Sequence, residues 1–382
     1  MALNSSGQLS LAGTTAGQSV ALELGLGTAT QISLNDTAVR SLAGVPSGAI
    51  TMPTNFWGKS SQVSIIAASC QTSPFVAAYP WSAGFGTRYA NPATLPPSPT
   101  TSIAINPAGT AIALSGAATP FIHAYPWSNG FGTKYANPAT LPTGGNEVAF
   151  NPAGNVIAQV GTPTPCLWAY PWSAGGFGTK YADASPLTPN SNSVIFNPAG
   201  TVIAVAHGTA TPFVAAYVWS AGFGTKYANP TTPPTNQTTG ITFNPAGNVI
   251  AMSQTSTPWI NAYVWSGGFG TRYANPATLP TGVGQSVTFN PAGNVIAISH
   301  TISPWITTYP WSAGFGTKYA NPATLTGSVG QSVTFNPAGN VIAIAASAFI
   351  FAYPWSAGFG TKYADPASIT ASCTGVKFNS VV

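Results

Sequence analysis

SVTFNPAGNVIAISHTISPWITTYPWSAGFGTKYAN, residues 286–321, is four short runs divided by turn residues. The first, 286–290, stops at Pro291-Ala292-Gly293, where proline presets φ and glycine is free to take a positive φ, the chemistry of a tight hairpin. The second, 294–299, is apolar at nearly every position rather than alternating, which suits a strand covered on both faces. The third ends at Tyr309-Pro310-Trp311, and its proline, unable to donate to a ladder, marks a strand end or a bulge. After the turn Ser312-Ala313-Gly314-Phe315, residues 316–321 are the fourth. These are strands a, b, c and d of one unit.

The same unit tiles the chain from about residue 61 onward. Its tryptophans, Trp81, Trp127, Trp172, Trp219, Trp265, Trp311 and Trp355, are spaced by 46, 45, 47, 46, 46 and 44 residues. A constant step of that size, with several short strands per step, predicts a β-propeller with one four-stranded sheet per repeat. Asn-Pro-Ala-Gly occurs six times, beginning at Asn106, Asn151, Asn197, Asn244, Asn290 and Asn336, against seven tryptophans. The missing hairpin is split: residues 62–67 read as a strand b with no strand a before them, and residues 376–379 as a strand a with no strand b after them. Pairing the two predicts a seventh blade made from both ends of the repeat region, which removes an open sheet edge and brings Cys70 near Cys373. The expected fold is all-β: a seven-bladed propeller over residues 61–382 and a small β-rich N-terminal domain over residues 1–58. In that domain 9–11, 20–24 and 31–34 are strand candidates, and Asn35-Asp36-Thr37 caps one or two helical turns ending at Gly44.

Phe243-Asn-Pro-Ala-Gly-Asn-Val-Ile-Ala251 resembles the Phe-Ser-Pro-Asp-Gly-x-x-Leu-Ala segment of WD40-type repeats, and tryptophan stands in strand c. The Gly-His and Trp-Asp dipeptides of that family are missing, so its buried polar tetrad is not expected. This resemblance covers about 320 residues and implies a fold rather than an activity. Residues 1–58 resemble the N-terminal segments of structural proteins from tailed bacteriophages. The likeness lies in Ser5-Ser6-Gly7, in Ile32-Ser33-Leu34-Asn35-Asp36 with Arg40-Ser41-Leu42-Ala43-Gly44, and in Ser47-Gly48-Ala49-Ile50 with Phe56-Trp57-Gly58-Lys59-Ser60. The Tyr-Pro-Trp-Ser-x-Gly-Phe-Gly-Thr-Lys-Tyr repeat is similar to those of phage-encoded propellers. What the resemblance implies is a virion protein, tail-associated, made in the host cytoplasm with free thiols, whose residues 1–58 bind other virion subunits.

Charged residues are 4% of the chain, against roughly 25% in ordinary soluble domains, so Ser, Thr, Asn and backbone amides must wet the surface. The first residues lack the basic and apolar regions of a signal peptide, and no run approaches a membrane span, so no membrane insertion is expected. Of the acidic residues Glu23, Asp36, Glu147, Asp183 and Asp365, the last two align with turn asparagines of other repeats, which leaves no carboxylate pair for acid–base work. His123, His207 and His300 are too scattered to hold a metal. No catalytic residue, metal or cofactor is expected, and the chain reads as no enzyme.

Seven of the ten basic residues form one column in strand d: Arg88, Lys134, Lys180, Lys226, Arg272, Lys318 and Lys362. Such a rim attracts anions, yet cations on an outermost strand chiefly guard against edge-to-edge pairing, and nucleic acid is not an expected partner. Variation between repeats gathers in the b–c and d–a loops, on one face, as on the binding face of repeat proteins. The candidate binding residues there are His123, Trp168, His207, Trp259, His300 and Trp305, although Trp259 and Trp305 align with Phe75, Phe121 and Phe213 and read as core. The expected function is a non-enzymatic virion component displaying the propeller as an adhesion platform toward a host glycan or protein. The alternatives are a head-decoration or neck protein and a cellular carbohydrate-binding lectin.

Overall fold

The Asn-Pro-Ala-Gly segments close hairpins through their asparagine. Asn106 Oδ1 accepts from the backbone N–H groups of Thr110 and Ala111, both at 2.8 Å, and Asn290 Oδ1 accepts from Asn294 and Val295 at 3.0 and 2.9 Å. Gly109 and Gly293 sit at φ 68° and 71°, the left-handed region that a side chain would strain. The computed structural model describes residues 3–379 apart from 5, 16, 28, 29, 44, 46, 57–62, 163, 187–189, 210 and 369–371. The expected C-cap Gly44 and the first residue of the expected strand at 62–67 lie outside the described residues.

Among the described residues there are seven antiparallel sheets. The first chain segment gives β1 (Ile65–Cys70) and β2 (Val76–Pro80). Then come β3 (Thr100–Ile105), β4 (Ala111–Gly116) and β5 (Ile122–Pro126), and after them β6 (Glu147–Phe150), β7 (Val156–Val160), β8 (Leu167–Ser173) and β9 (Gly176–Phe177). The next two sheets are β10 (Ser191–Phe196), β11 (Val202–His207), β12 (Val214–Trp219), β13 (Phe223–Lys226) and β14 (Thr238–Phe243), β15 (Val249–Gln254), β16 (Ile260–Trp265), β17 (Phe269–Arg272). The last are β18 (Gly284–Phe289), β19 (Val295–His300), β20 (Ile306–Pro310) and β21 (Gly330–Phe335), β22 (Val341–Ala346), β23 (Ile350–Pro354). Finally β24 (Cys373–Phe378) returns to pair antiparallel with β1, from Ile66↔Phe378 to Cys70↔Cys373. Asn379 Oδ1 accepts from Ile65 N–H at 2.9 Å, the bond its counterparts make within a hairpin.

Four strands per sheet was the expectation, and three sheets have them. In the other four, strand d shrinks to a single bridge, Trp81↔Phe85, Trp127↔Phe131, Trp311↔Phe315 and Trp355↔Phe359. The reason lies in strand c. The four-residue β13 and β17 stand beside Tyr-Val-Trp, whereas Tyr-Pro-Trp puts a residue without an N–H at the edge. The two-residue β9 is intermediate and follows an extra glycine, Gly175.

Strand b is buried along its whole length in every sheet, as its unbroken apolar run predicted. Among the sheets each apolar cluster is shared by two neighbours; Ile203 and Tyr217 of one, for example, pack with Ala158 and Leu167 of the one before. At the periphery each tryptophan meets, edge to face, the tyrosine of the preceding repeat: Trp127 with Tyr89 at 4.9 Å, Trp311 with Tyr273 at 5.0 Å, and Trp81 with Tyr363 at 5.1 Å. Such pairs add roughly 0.5–1.5 kcal/mol each beyond their buried area. The strand c tyrosines hold the incoming linker: Tyr125, Tyr170, Tyr263 and Tyr309 hydroxyls donate to the carbonyls of Thr94, Thr140, Thr232 and Thr278, each at 2.8 Å. The invariance of the Tyr-x-Trp residues and of the tyrosine that follows each Lys or Arg thus has a packing cause.

Residues 1–64 form a separate unit with its own core of Leu3, Val20, Val39, Leu42, Ala43 and Phe56. It is not β-rich: among its described residues there are two short helices, α1 (Val20–Glu23) and α2 (Thr37–Ala43), and one isolated bridge, Ser10↔Ser19. Residues 20–24, expected as strand, turn helical because Ser19 caps them, its hydroxyl accepting from Leu22 N–H at 3.3 Å. Helix α2 lies where Asn35-Asp36-Thr37 predicted it.

Candidate functional site

The strands a, here β3, β6, β10, β14, β18, β21 and β24, lie side by side in that order, and β24 lies beside β3. They surround a pocket of about 150 Å³, about the size of a cavity that takes one six-membered ring. Position by position their side chains form layers. One layer is wholly polar: Thr101, Asn146, Asn192, Thr239, Gln285, Gln331 and Thr374. Several of these reach to the next sheet's backbone. Thr374 donates to Thr100 C=O at 2.8 Å, Thr101 to Gly145 C=O at 3.0 Å, Asn146 to Ser191 C=O at 2.8 Å, and Asn192 to Thr238 C=O at 2.7 Å. Polar groups here therefore fasten sheet to sheet while lining the pocket.

One carboxylate and one ammonium face this lining, Glu147 at the start of β6 and Lys377 near the end of β24. Glu147 Oε2 accepts from Val194 N–H at 3.0 Å, and Ser193 bonds the same carboxylate. Burial pushes the Glu147 carboxyl above its usual range, while Lys377, Ser193 and Val194 N–H pull it back. A buried carboxylate held between these opposed influences is a candidate general base. Sequence reasoning passed over both residues. Lys377 falls outside the strand d column, and Glu147 was discounted for want of a second carboxylate. Stacking the seven strands a in register shows one acid and one base among hydroxyls and amides.

The residues singled out on the variable face are placed elsewhere. His123, His207 and His300 have no exposure and Trp168 has 1%, so all four lie within the sheets rather than on a surface. They fill a column whose size alternates between strands b and c; a Cβ on Gly116 would come within 3.1 Å of His123 Nε2, while His300 Nε2 meets Thr307 Oγ1 at 3.0 Å. Burial pushes each of the three imidazoles down to about 4, as expected of rings held neutral. Trp259 and Trp305 are half-buried at φ 62° and 65°, the conformation of Phe75, Phe121 and Phe213. Their carbonyls accept from the last N–H of strand b, Gln254 at 2.9 Å and His300 at 3.0 Å, so the turn needs the residue in that conformation.

The cation column is paired within itself. Each member bonds the Asn or Asp three residues on: Arg88 to Asn91 at 2.7 Å, Lys226 to Asn229 at 2.6 Å, Arg272 to Asn275 at 2.7 Å, Lys134 to Asn137 and Lys318 to Asn321, with ion pairs Lys180–Asp183 and Lys362–Asp365. Among the described residues no three His, Cys, Asp or Glu side chains gather to hold a metal, and no helix is long and apolar enough to cross a membrane.

No protein-family model matches the chain, and no curated protein matches it. Solved structures do. A Bacteroides uniformis protein provisionally named a 6-phosphogluconolactonase shares 13% identity at a TM-score of 0.63, with 83% of this chain and 99% of that one covered. The periplasmic gluconolactonase of Pseudomonas aeruginosa shares 12% at 0.65, over 84% and 100%. A second provisional 6-phosphogluconolactonase, from Bacteroides fragilis, shares 12% at 0.61, over 83% and 98%. Identities this low establish the fold, a β-propeller. The expectation of a non-enzymatic virion component is corrected on this point, since the three structures just described carry lactonase names, while the likeness itself extends to the fold alone.

Proposed function

We propose that the seven sheets are the blades of one propeller, its ring completed by β24 on β1, and that the axial pocket hydrolyses a small cyclic ester of the sugar-lactone class. The observation that carries this reading is the Glu147–Lys377 pair in a lining otherwise made of hydroxyls, amides and small or apolar side chains. The Glu147 carboxylate takes a proton from a water molecule as its oxygen bonds to the lactone carbonyl carbon. The Lys377 ammonium offsets the negative charge that develops. The ring C–O bond then breaks, and the leaving alkoxide takes the proton from Glu147, giving the open hydroxy acid. Ser286, Ser332 and Gln285 are placed to hold ring hydroxyls. The names of the structural neighbours support the substrate class.

The test is the hydrolysis of δ-gluconolactone, followed with a pH indicator against the spontaneous rate. Glu147→Gln keeps an oxygen for Val194 N–H and should lower the catalysed rate by about 10²–10⁴-fold. A wild-type rate equal to that of buffer across a panel of sugar lactones would remove the proposal.

A further inference from the structure

Six of the seven a–b strand pairs are covalently continuous, joined by Asn-Pro-Ala-Gly. The seventh, β24 on β1, has no such link, and it alone carries a cysteine on both strands at the position where the a-strand begins and the b-strand ends. The corresponding pairs elsewhere are Thr100↔Gly116, Ser191↔His207, Thr238↔Gln254, Gly284↔His300 and Gly330↔Ala346. We infer that Cys70 and Cys373 are a redox-modification site, whose oxidation to a disulfide supplies the covalent link that the split hairpin lacks.

The geometry is already close. The two residues are Cα partners across the sheet, next to a β-bulge that skips Thr374, and their sulfurs are 3.4 Å apart. A disulfide needs about 2.05 Å, so the sulfurs must approach by little more than about 1 Å, within reach of side-chain rotation. The backbone on either side is fixed: Cys70 N–H donates to Phe75 C=O at 2.9 Å, and Gln71 N–H to Ser372 C=O at 2.8 Å. Both thiols are buried, at 3% and 0% exposure, so the pair is shielded from outside thiols once formed. The hydrogen bond with the Cys70 sulfur, and after it burial, pushes the Cys373 thiol up, so exchange proceeds when the strands open locally rather than from the packed state.

The oxidant is a low-molecular-weight disulfide. A thiolate of the pair attacks one of its sulfurs and releases a thiol; the second cysteine then attacks the mixed disulfide and releases another. Two hydrogens leave the protein, and two small thiols form. The link joins residues 303 apart in sequence, a span over which a crosslink strongly restricts the unfolded chain. This inference rests on the strand pairing alone and stands apart from the activity proposed above.

The test equilibrates the full chain in glutathione redox buffers of graded ratio, with urea below the unfolding midpoint so that strands open transiently. Remaining thiols are then alkylated and the protein is digested with trypsin without reduction. The expected product joins the peptide of residues 60–88 to that of residues 363–377, with Cys166 alkylated. The oxidised protein should melt above the reduced one, and Cys70→Ser should abolish that difference while folding as the reduced wild type does. Alkylation of both Cys70 and Cys373 under every oxidising ratio, or their capture as glutathione adducts or by Cys166, would overturn the assignment.

Discussion

Truncating Phe378 to alanine tests whether β24 is as firmly part of its sheet as the strands that a hairpin holds. Phe378 is 9% exposed and meets Trp81 edge to face at 5.3 Å. Phe289 occupies the same position in β18, 7% exposed and 5.3 Å from Trp311, but its strand runs directly into an Asn-Pro-Ala-Gly turn. Burial and partner geometry are thus matched, and only the covalent connection differs. Buried Phe→Ala changes cost about 3–5 kcal/mol, and since each ring keeps a little exposure, about 3 kcal/mol is expected for Phe289→Ala. If β24 is docked in the native state, Phe378→Ala should cost the same within about 1 kcal/mol, the usual spread at fixed chemistry. Guanidinium unfolding followed by tryptophan fluorescence reads both, with unchanged m-values showing that only stability moved. A loss under about 1 kcal/mol for Phe378→Ala, beside about 3 kcal/mol for Phe289→Ala, would show that the β24–β1 pairing contributes nothing and that the seam reasoning is wrong.

Acid should loosen the propeller through its buried histidines. The buried imidazoles of His123, His207 and His300 titrate at about 4 in the fold and near 6.5 when unfolded, so the unfolded state binds protons first as pH falls. Stability is complete above about pH 6.5 and declines toward pH 4, by up to about 3 kcal/mol per histidine; a flat urea midpoint from pH 7 to 4.5 would contradict this. Replacing Pro310 with Val should extend strand d of that sheet as in the two Tyr-Val-Trp sheets, slowing amide exchange at Phe315 and Lys318 while changing stability by less than about 1 kcal/mol. Unaltered exchange there would mean that the proline is not what limits the ladder. Lys226→Ile with Arg272→Ile strips the cations from the two longest edge strands, and light scattering should report self-association; a monomer at all concentrations would discard the edge-guard role.

The repeat arithmetic made the propeller readable because every unit restates the same constraints. Asn-Pro-Ala-Gly can only be a turn, strand b can only be buried, and the count of six turns against seven tryptophans points to a split unit. Loop variation was a poorer guide. His123, His207 and His300 vary because a pocket shared by strands b and c can be filled from either side, as Gly116 beneath His123 shows, and not because they face a ligand. The pocket residues were hidden for a different reason. Glu147 and Lys377 lie on strands 230 residues apart in sequence, and only the inward position of all strands a brings them to one lining. In residues 1–58 no repetition averages out local ambiguity, so Val20-Ala21-Leu22 read as strand until the cap at Ser19 decided for helix.

The split hairpin also gives the chain a timetable. Closing an Asn-Pro-Ala-Gly turn brings together residues about five apart, whereas Cys70 and Cys373 are 303 apart, and on loop-closure grounds alone the latter costs about 3–4 kcal/mol more. Six hairpins can therefore zip as they leave the ribosome, but β1 cannot. At about 5–20 residues per second its partner strand is synthesised about 15–60 s later, and through that interval β1, apolar but for Ser69, has one side unpaired. The most aggregation-prone moment in this protein's life is thus its own synthesis, and the strand to shelter during it is Ile65–Cys70.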